Sequence, residues 1–423
     1  MLYWSLLDSQ KIIFEQAGGL AVDTTTTGIR SVPCWLTKQR VAFYSSCVLI
    51  VELGYLALRF VGAYVLNLPD FVALGWDHAV FWVASRLAIE GPAANAYDAR
   101  LTEPVVSVLQ HFVLHRPFPT PWIYPPTFLV VVLWLALFPF PLSYAIWTAI
   151  GVAFSGFALG RILRPSSLAW WLPVLAFPAL WIDLMAGQNS LFTMGLAALA
   201  FVLLDRRPTL AGVCIGLLAI KPQLGIVFPV VLLVGRRWRV FSVALITVSI
   251  FCAVAGVVFG FGIFGTFLSV LPAFRKLVVN ANWPGGLPTW FGFARSVGLS
   301  PSAAYLVHAI MGVPSLALAV FLFASRSRAA LRSAAVALAT LVCQPYLLGY
   351  DLVWLALPIA FLIVDGQQHG WLKYEVPVLV AVWLAPLGLF FPQLHFGLCM
   401  PPIMALLTLV LIRRAGSRRG ATD

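Results

Sequence analysis

The sequence predicts an all-α, polytopic membrane protein. Of its 423 residues, 61% are hydrophobic and only 10% are charged, whereas a soluble protein of this length needs far more charged surface. Apolar runs of about twenty residues recur along the chain, and each is long enough to cross a bilayer as a helix. The alternating ten-residue segments of a membrane barrel are absent from the sequence, so helices are expected to satisfy the backbone within the membrane.

The formal net charge is +12, and the basic residues stand in short clusters at the ends of apolar runs. These clusters are Arg161 and Arg164; Arg206 and Arg207; Arg236, Arg237 and Arg239; Arg326, Arg328 and Arg332; and Arg413, Arg414, Arg418 and Arg419. Such a distribution is typical of cytoplasmic anchors under the positive-inside rule and does not favour nucleic-acid binding. It predicts a multi-pass protein of the plasma (inner) membrane with both termini in the cytoplasm.

Neither the cysteines nor the histidines indicate a metal site. The six cysteines form no C-x-x-C pair, and most lie inside apolar runs, where they are expected to be small buried hydrophobic residues. The six histidines have no metal-ligand spacing, and the sequence contains neither a P-loop nor a Rossmann glycine fingerprint. We therefore predict no cofactor and no metal ligands, and leave open whether a divalent ion assists.

Residues 1–40 are predicted to form a cytoplasmic N-terminal segment. Charged residues interrupt its start, and it lacks the apolar core and small-residue cleavage site of a signal peptide. The first span follows at about 41–66, where Glu52 and Arg59 stand two helical turns apart on one face. Charges at this depth face protein or water rather than lipid, and a structural ion pair is the simpler interpretation.

The first extracytoplasmic loop, residues 67–126, is the longest polar interruption in the chain. Residues 77–90 carry apolar side chains at helical spacing and predict an amphipathic helix at the membrane surface. A second helix is predicted over 103–115. The proline-rich segment 116–122 is expected to be extended, because proline breaks helices and restricts the residue before it.

The stretch 127–163 decides how many spans there are, because two prolines divide it. If both halves cross, every later basic cluster lies outside, against the positive-inside rule. If 127–138, about 18 Å long as a helix, reaches only half-depth, every cluster lies inside. The second interpretation predicts twelve spans at about 41–66, 142–160, 168–185, 190–204, 209–221, 223–235, 238–260, 303–324, 333–347, 351–364, 375–391 and 396–412. Together they form one transmembrane domain over 41–412, followed by a basic cytoplasmic tail over 413–423.

This topology places a second large loop, residues 260–302, on the extracytoplasmic side. A surface helix is predicted over 261–279, and the turn-rich segment 280–288 is either a lid or a plain connector. Three short polar motifs share the same face: 187–189, 221–223 and 344–351. The polar motifs therefore collect on one side of the membrane and the arginine clusters on the other.

Three aspartates of the first loop are candidates for proton transfer, because an aspartate near the outer face could remove a proton from a reacting hydroxyl. Asp77 is the first candidate, since it begins the predicted helix. Its alternative role is a helix N-terminal carboxylate that the helix dipole stabilises. Asp70 competes with Asp77, and Asp98 could simply cap the next segment.

Candidate substrate-binding residues lie in the other polar motifs. Lys221, at the end of a span, could hold a phosphate or could extend to the lipid headgroups. Gln188 and Asn189 could bind sugar hydroxyls, but capping of the next helix is the simpler role. Tyr350 and Asp351 carry the same ambiguity. Looser candidates for phosphate contact are Arg275, Lys276 and Arg295.

Several motifs, taken in order, resemble glycosyltransferase family 87. They comprise Asp77 and His78 at the start of segment 77–82, segment 96–98, Tyr124 with the two prolines after it, Gly187-Gln188-Asn189, segment 206–212, Lys221-Pro222 and segment 236–238. The resemblance covers about 70–239, with a weaker echo at 344–358. The order and spacing of these motifs are more specific than any one of them alone.

The resemblance implies a membrane glycosyltransferase of the C-type fold. Such an enzyme would move a hexose, with mannose favoured, from a polyprenyl-phosphate donor to a lipid or envelope-glycan hydroxyl, with inversion, on the extracytoplasmic face. It implies Asp77 as the base. Geometry and the resemblance together place Lys221 and Gln188 near the donor phosphate and sugar. We further predict Tyr124, Asn189, Asp70 and Asp351 as substrate contacts. Mycobacterial relatives carry histidine near Asp351, so the acceptor and the sugar stay open.

A transporter or flippase for a lipid-linked or small polar substrate is the alternative. Glu52, Arg59 and Asp183 within apolar runs would suit it. The absence of a repeat between the two halves and the length of the first loop argue against it. Besides donor, acceptor and membrane lipids, no protein partner is predicted.

Overall fold

The structure is a computed structural model that describes residues 37–68, 74–102, 109, 122–165, 168–280, 287–391, 393 and 395–417. The described chain is helical throughout, apart from turns and one isolated bridge. The α-helices are α1 Lys38–Phe60, α2 Trp76–Glu90, α3 Pro126–Val132, α4 Phe140–Leu163, α5 Leu172–Leu175, α6 Pro178–Ala186, α7 Ser190–Leu203, α8 Pro208–Leu217, α9 Val227–Val234, α10 Trp238–Phe259, α11 Ile263–Asn280, α12 Trp290–Ser296, α13 Pro301–Ala324, α14 Ala329–Val342, α15 Ala356–His369, α16 Glu375–Leu384 and α17 Met400–Gly416.

Within the described chain, seven helices are long and apolar enough to cross a membrane. These are Lys38–Val65, Phe140–Leu163, Trp238–Phe259, Ile263–Asn280, Pro301–Ala324, Gly349–His369 and Phe396–Gly416. Six of the seven coincide with predicted spans, which confirms a polytopic helical membrane protein. Shorter apolar helices stand at five other predicted spans: Ser190–Leu203, Pro208–Ile220, Pro222–Val234, Ala329–Val342 and Glu375–Phe390. The count of twelve, the C-type fold and the domain limits stay predictions.

The predicted span over 168–185 is wrong as a continuous helix. The chain forms short helical pieces there, including α5 and α6, because it becomes extended at Phe177 and restarts at Pro178. Proline has no amide hydrogen to donate but suits the first turn of a helix. The break makes α6 a separate helix, in which Asp183 is buried.

The proposed half-depth helix at 127–138 appears as the short apolar helix Pro126–Leu137. Phe128, Leu129, Val132 and Leu135 are completely buried, so one face of this helix packs against protein, which a half-depth element needs. A side chain of α2 satisfies a backbone group near the end of this short helix, since Ser85 donates to the Leu133 carbonyl at 2.7 Å. Its depth in the membrane stays a prediction.

Helix α2 forms where 77–90 predicts it, but its assignment as an amphipathic surface helix is wrong. Seven of its residues are buried: His78, Ala79, Phe81, Trp82, Val83, Ala84 and Ser85. The first half of the helix therefore packs inside the protein, and only its end, at Ile89 and Glu90, is exposed. The helix predicted over 103–115 and the extended segment 116–122 lie outside the described residues, apart from Leu109 and Trp122.

The described chain has two large hydrophobic cores, and Leu196 of α7 packs against both. The smaller core surrounds α2 and α3 with aromatic side chains such as Phe81, Trp122 and Phe128. The larger core joins helices from α4 to α17. Helix α11 packs on the smaller core through Ile263, and the Phe267 ring lies 6.2 Å from the Tyr97 ring. The surface placement of α11 stays a prediction, because its length and composition also suit a span.

The expected ion pair between Glu52 and Arg59 is wrong. Glu52 is buried, and neither of its carboxylate oxygens has a hydrogen-bond partner among the described residues. Arg59 instead donates to the Tyr55 hydroxyl at 3.1 Å, and its guanidinium lies 5.5 Å from the Trp76 ring. Arg59 thus packs against the residue that begins α2.

Candidate active site

Five separate segments bring their polar side chains together. They are the start of α2, the chain just before α3, the end of α6 with the turn into α7, the turn after α8, and the helical turn Gly349–Leu355. We call the resulting group the polar cluster; it consists of Asp77, Tyr124, Asp183, Gln188, Ser190, Lys221, Tyr350 and Asp351. Motifs that the sequence places on one face of the membrane thus lie in mutual contact.

Gly187 lets the α6–α7 turn approach α2 closely. It has φ +68° and ends α6, a left-handed conformation in which glycine avoids the strain that a side chain would cause. A Cβ atom at this position would lie 2.7 Å from the Cβ of His78 and 2.9 Å from the Tyr144 ring. Only glycine therefore places the next residue, Gln188, beside the first turn of α2.

Gln188 is held in one orientation by hydrogen bonds on both sides of its amide. Its Nε2 donates to the Tyr124 hydroxyl at 2.7 Å and to Asp77 Oδ2 at 3.3 Å. Its Oε1 accepts from the Asn189 amide at 2.8 Å. Gln188 therefore satisfies the amide of its neighbour Asn189 rather than an amide of α7, and it also positions Asp77.

Asp77 is the carboxylate of the cluster that keeps partial solvent exposure, whereas Asp183 and Asp351 are buried. Burial of its surroundings raises the pKa of Asp77 from 3.8 to about 7, although the Gln188 hydrogen bond and the Lys221 charge act in the opposite direction. A carboxylate that gains and loses its proton near neutral pH, and that is partly exposed to solvent, suits general-base chemistry.

Lys221 is buried rather than extended towards lipid headgroups, so that interpretation is wrong. Its Nζ lies 2.5 Å from Asp351 Oδ1 and 3.4 Å from Ser190 Oγ. The Tyr350 ring covers it at 4.8 Å. Since the side chains of both partners are 5% exposed, Asp351 compensates the buried positive charge of Lys221.

Asp183 and Ser190 belong to the cluster although sequence reasoning did not include them among the site residues. Asp183 Oδ1 accepts the Ser190 backbone amide at 3.2 Å, and Ser190 Oγ donates to Asp351 Oδ1 at 2.7 Å. The sequence feature that could have identified them is the spacing of Asp183, Gln188 and Ser190 around one turn, which brings all three side chains to one helix junction.

Asn189 does not cap α7 with its side chain, so the capping role is wrong for it. It is fully buried, and neither its amide nitrogen nor its amide oxygen has a hydrogen-bond partner among the described residues. Buried amides without partners are rare in folded proteins. This amide therefore has donors and an acceptor available next to Gln188.

The remaining candidates that the structure describes are not members of the cluster. Asp98 accepts the Arg100 amide at 3.0 Å and pairs with its guanidinium, which confirms a local capping role. Asp70 lies outside the described residues. Arg295 donates to the Leu299 carbonyl at 2.7 Å, and Arg275 and Lys276 line a separate groove. Within the described part of the chain, no group of three or more His, Cys, Asp or Glu side chains has a metal-binding arrangement.

Comparison with known families supports the resemblance in the motifs. The sequence model of a family described as glycosyltransferase family 87 matches residues 122–345. The match includes Tyr124, Gln188, Asn189 and Lys221, while Asp77 and Asp351 lie outside it. No curated protein and no solved structure matches the chain.

Proposed function

Because the chain belongs to glycosyltransferase family 87, we propose that it moves a hexose, with mannose favoured, from a polyprenyl-phosphate donor to an acceptor hydroxyl. The acceptor is a lipid or an envelope glycan, and the reaction occurs with inversion on the extracytoplasmic face of the inner membrane. Family membership favours glycosyl transfer over the transporter alternative. The observation that carries the mechanism is Asp77, partly exposed and held by Gln188 in an otherwise buried polar cluster.

Asp77 acts as the general base in this proposal. Its carboxylate takes the proton of the acceptor hydroxyl while the hydroxyl oxygen attacks the anomeric carbon of the sugar. The bond between that carbon and the phosphate oxygen breaks, and the lipid phosphate leaves with the electron pair. A single displacement of this kind inverts the anomeric centre, because the attacking oxygen and the leaving phosphate occupy opposite faces of the sugar.

Lys221 stabilises the leaving phosphate as its negative charge develops. An ammonium group has three hydrogen-bond donors, and the contacts of Lys221 in the cluster are Asp351 Oδ1 and Ser190 Oγ. One donor can therefore serve the phosphate while Asp351 and Ser190 keep the ammonium in place. Asp351 is thus a positioning residue for Lys221.

Gln188 and Asn189 serve orientation and sugar binding. Gln188 fixes the Asp77 carboxylate through Nε2, while the Asn189 amide offers its hydrogen-bonding groups to sugar hydroxyls. A site built to hydrogen-bond a hydroxyl strongly rejects an analogue that lacks it. The identity of the hexose is therefore expected to depend on Asn189.

The test is transfer from synthetic polyprenyl-phosphate mannose by the full chain in nanodiscs. We expect Asp77→Asn to lower kcat by about 10²–10⁴-fold, the usual contribution of general-base catalysis, with normal folding. Asp98→Asn is the matched control, because Asp98 lies in the same loop but outside the cluster. Near-normal turnover by folded Asp77→Asn would refute the base assignment, and transfer from a nucleotide sugar instead would refute the donor class.

A further inference from the structure

A groove of about 640 Å³ lies between α11 and the start of α13, outside the polar cluster. Its walls are mainly apolar and include Leu271, Phe274 and Val279 of α11 and Pro301 of α13. Tyr305 and Tyr346 also line the groove. Its volume is in the range typical of small-molecule sites, and its apolar lining suits a hydrocarbon chain.

Two cations are among the residues that line this groove, and we call them its rim. Arg275 and Lys276 are both exposed and are consecutive residues of α11. Arg275 is fixed over the Tyr305 ring at 5.4 Å, and its Nε donates to the Tyr305 hydroxyl at 3.3 Å. No carboxylate is among the described residues that line the groove, so the rim favours an anion.

The groove adjoins the polar cluster through one short segment of chain. Tyr346, in the groove, stands four and five residues before Tyr350 and Asp351 of the cluster. The segment is anchored at its start, because Thr289 donates to the Pro345 carbonyl at 2.9 Å and Gln344 donates to the Gln223 carbonyl at 2.5 Å. The segment 346–351 therefore connects the groove to Asp351, the ion-pair partner of Lys221.

We propose that this groove holds the spent lipid carrier, a prenyl monophosphate, with its chain against the apolar walls and its phosphate at Arg275 and Lys276. This inference rests on the proposed function, because it requires a lipid-phosphate leaving group. Transfer converts a phosphodiester, which carries one negative charge, into a phosphomonoester, which carries up to two near neutral pH. Two adjacent cations match the monoester better than the diester, so the rim favours the product and draws it from the polar cluster.

The test is photolabelling of the full chain in nanodiscs by a diazirine-bearing prenyl monophosphate, which needs no sugar transfer. Arg275→Gln and Lys276→Gln should each weaken labelling about fivefold, the effect expected for one cation near a membrane surface. Arg295→Gln is the matched control, because Arg295 lies on neighbouring α12 but does not line the groove. Leu271→Trp should also weaken labelling by filling the groove, whereas Leu245→Trp on the exposed face of α10 should not.

Competition identifies the occupant. Unlabelled prenyl monophosphate should displace the probe at lower concentration than a prenyl phosphodiester, and an uncharged prenol should displace it least. Equal competition by prenol, or by a two-chain phospholipid, would overturn the proposal, as would unchanged labelling of the Arg275 and Lys276 variants. Asp77→Asn should keep full labelling. If sugar transfer succeeds while the Arg275 and Lys276 variants are labelled as strongly as wild type, only this inference fails. If lipid-linked sugars never serve as donors, the proposed function fails.

Discussion

Lys221 and Asp351, 130 positions apart in the sequence, form a buried ion pair with 2.5 Å between Nζ and Oδ1. Two buried opposite charges are tolerated because each satisfies the other and Ser190 adds a further hydrogen bond. The pair joins the turn after α8 to the helical turn Gly349–Leu355. It therefore connects two parts of the larger core directly beside Asp77.

Removing only Lys221 should destabilise the protein strongly. Lys221→Met leaves Asp351 buried without its partner, which typically costs about 3–5 kcal/mol. The double variant Lys221→Met/Asp351→Leu removes both charges and should recover most of that loss, although transfer activity should be absent from both. The midpoint of unfolding in mild detergent measures the difference.

The exposed pair of Arg100 and Asp98 provides the control for this comparison. Arg100→Met should leave the unfolding midpoint almost unchanged, because exposed pairs contribute little. A double variant at Lys221 and Asp351 that is as unstable as the single one would show that the two residues do not act as a buried pair.

The pH dependence of transfer should report Asp77. As a base it must be deprotonated, and its raised pKa of about 7 means that kcat/KM should rise with pH up to about 7 and then level off. Gln188 lowers this pKa through its hydrogen bond. Gln188→Leu should therefore shift the acidic limb to higher pH, as measured from a series of kcat/KM values.

A control at Gln223, whose side chain is exposed, separates this effect from a general loss of folding. Gln223→Leu should keep the acidic limb in place. An unchanged limb in Gln188→Leu, with activity retained, would mean that a group other than Asp77 titrates in the profile.

The same pKa shift predicts how Asp77 affects stability. Between about pH 4 and pH 7 the folded protein holds a proton on Asp77 that the unfolded chain releases, so the contribution of this group to stability decreases as pH rises. Asp77→Asn lacks this loss. Its unfolding midpoint relative to wild type should therefore rise between pH 4 and pH 7 and stay constant above; a constant difference throughout would contradict the shift.

Much of the helical framework could be predicted from the sequence, because a run of about twenty apolar residues suffices to identify a span. The long helices Phe140–Leu163, Trp238–Phe259 and Pro301–Ala324 are examples. Hydropathy does not reveal whether an apolar helix faces lipid or protein. For that reason α2 was assigned to the membrane surface although the structure buries it.

The candidate site was partly predictable for a different reason. The predicted topology places Asp77, Gln188 and Lys221 on one face, but it contains no information about which side chains pair. The bond between Lys221 and Asp351 depends on how distant helices pack. The same holds for Glu52, which has no hydrogen-bond partner among the residues that the structure describes. Local rules also assigned a cap to Asn189, whose side chain the structure buries instead.

The close approach at Gly187 gives the last prediction. Gly187→Ala forces a side chain into the left-handed region, which costs about 1–2 kcal/mol, and places a Cβ atom 2.7 Å from that of His78. The turn must then move away from α2, which separates Gln188 from Asp77. Because a shift of about 1 Å can cost about a hundredfold in rate, transfer should fall more than stability alone explains.

Gly298 offers a matched control, because it has φ +87° and a Cβ atom there would meet nothing within 4 Å. Gly298→Ala incurs only the cost of a side chain in the left-handed region, and the variant should keep its transfer rate. Measuring the unfolding midpoint and the transfer rate for both variants isolates the effect of the contact with His78. Equal transfer rates for the two folded variants would show that the close packing of Gly187 on α2 does not position Gln188 for the reaction.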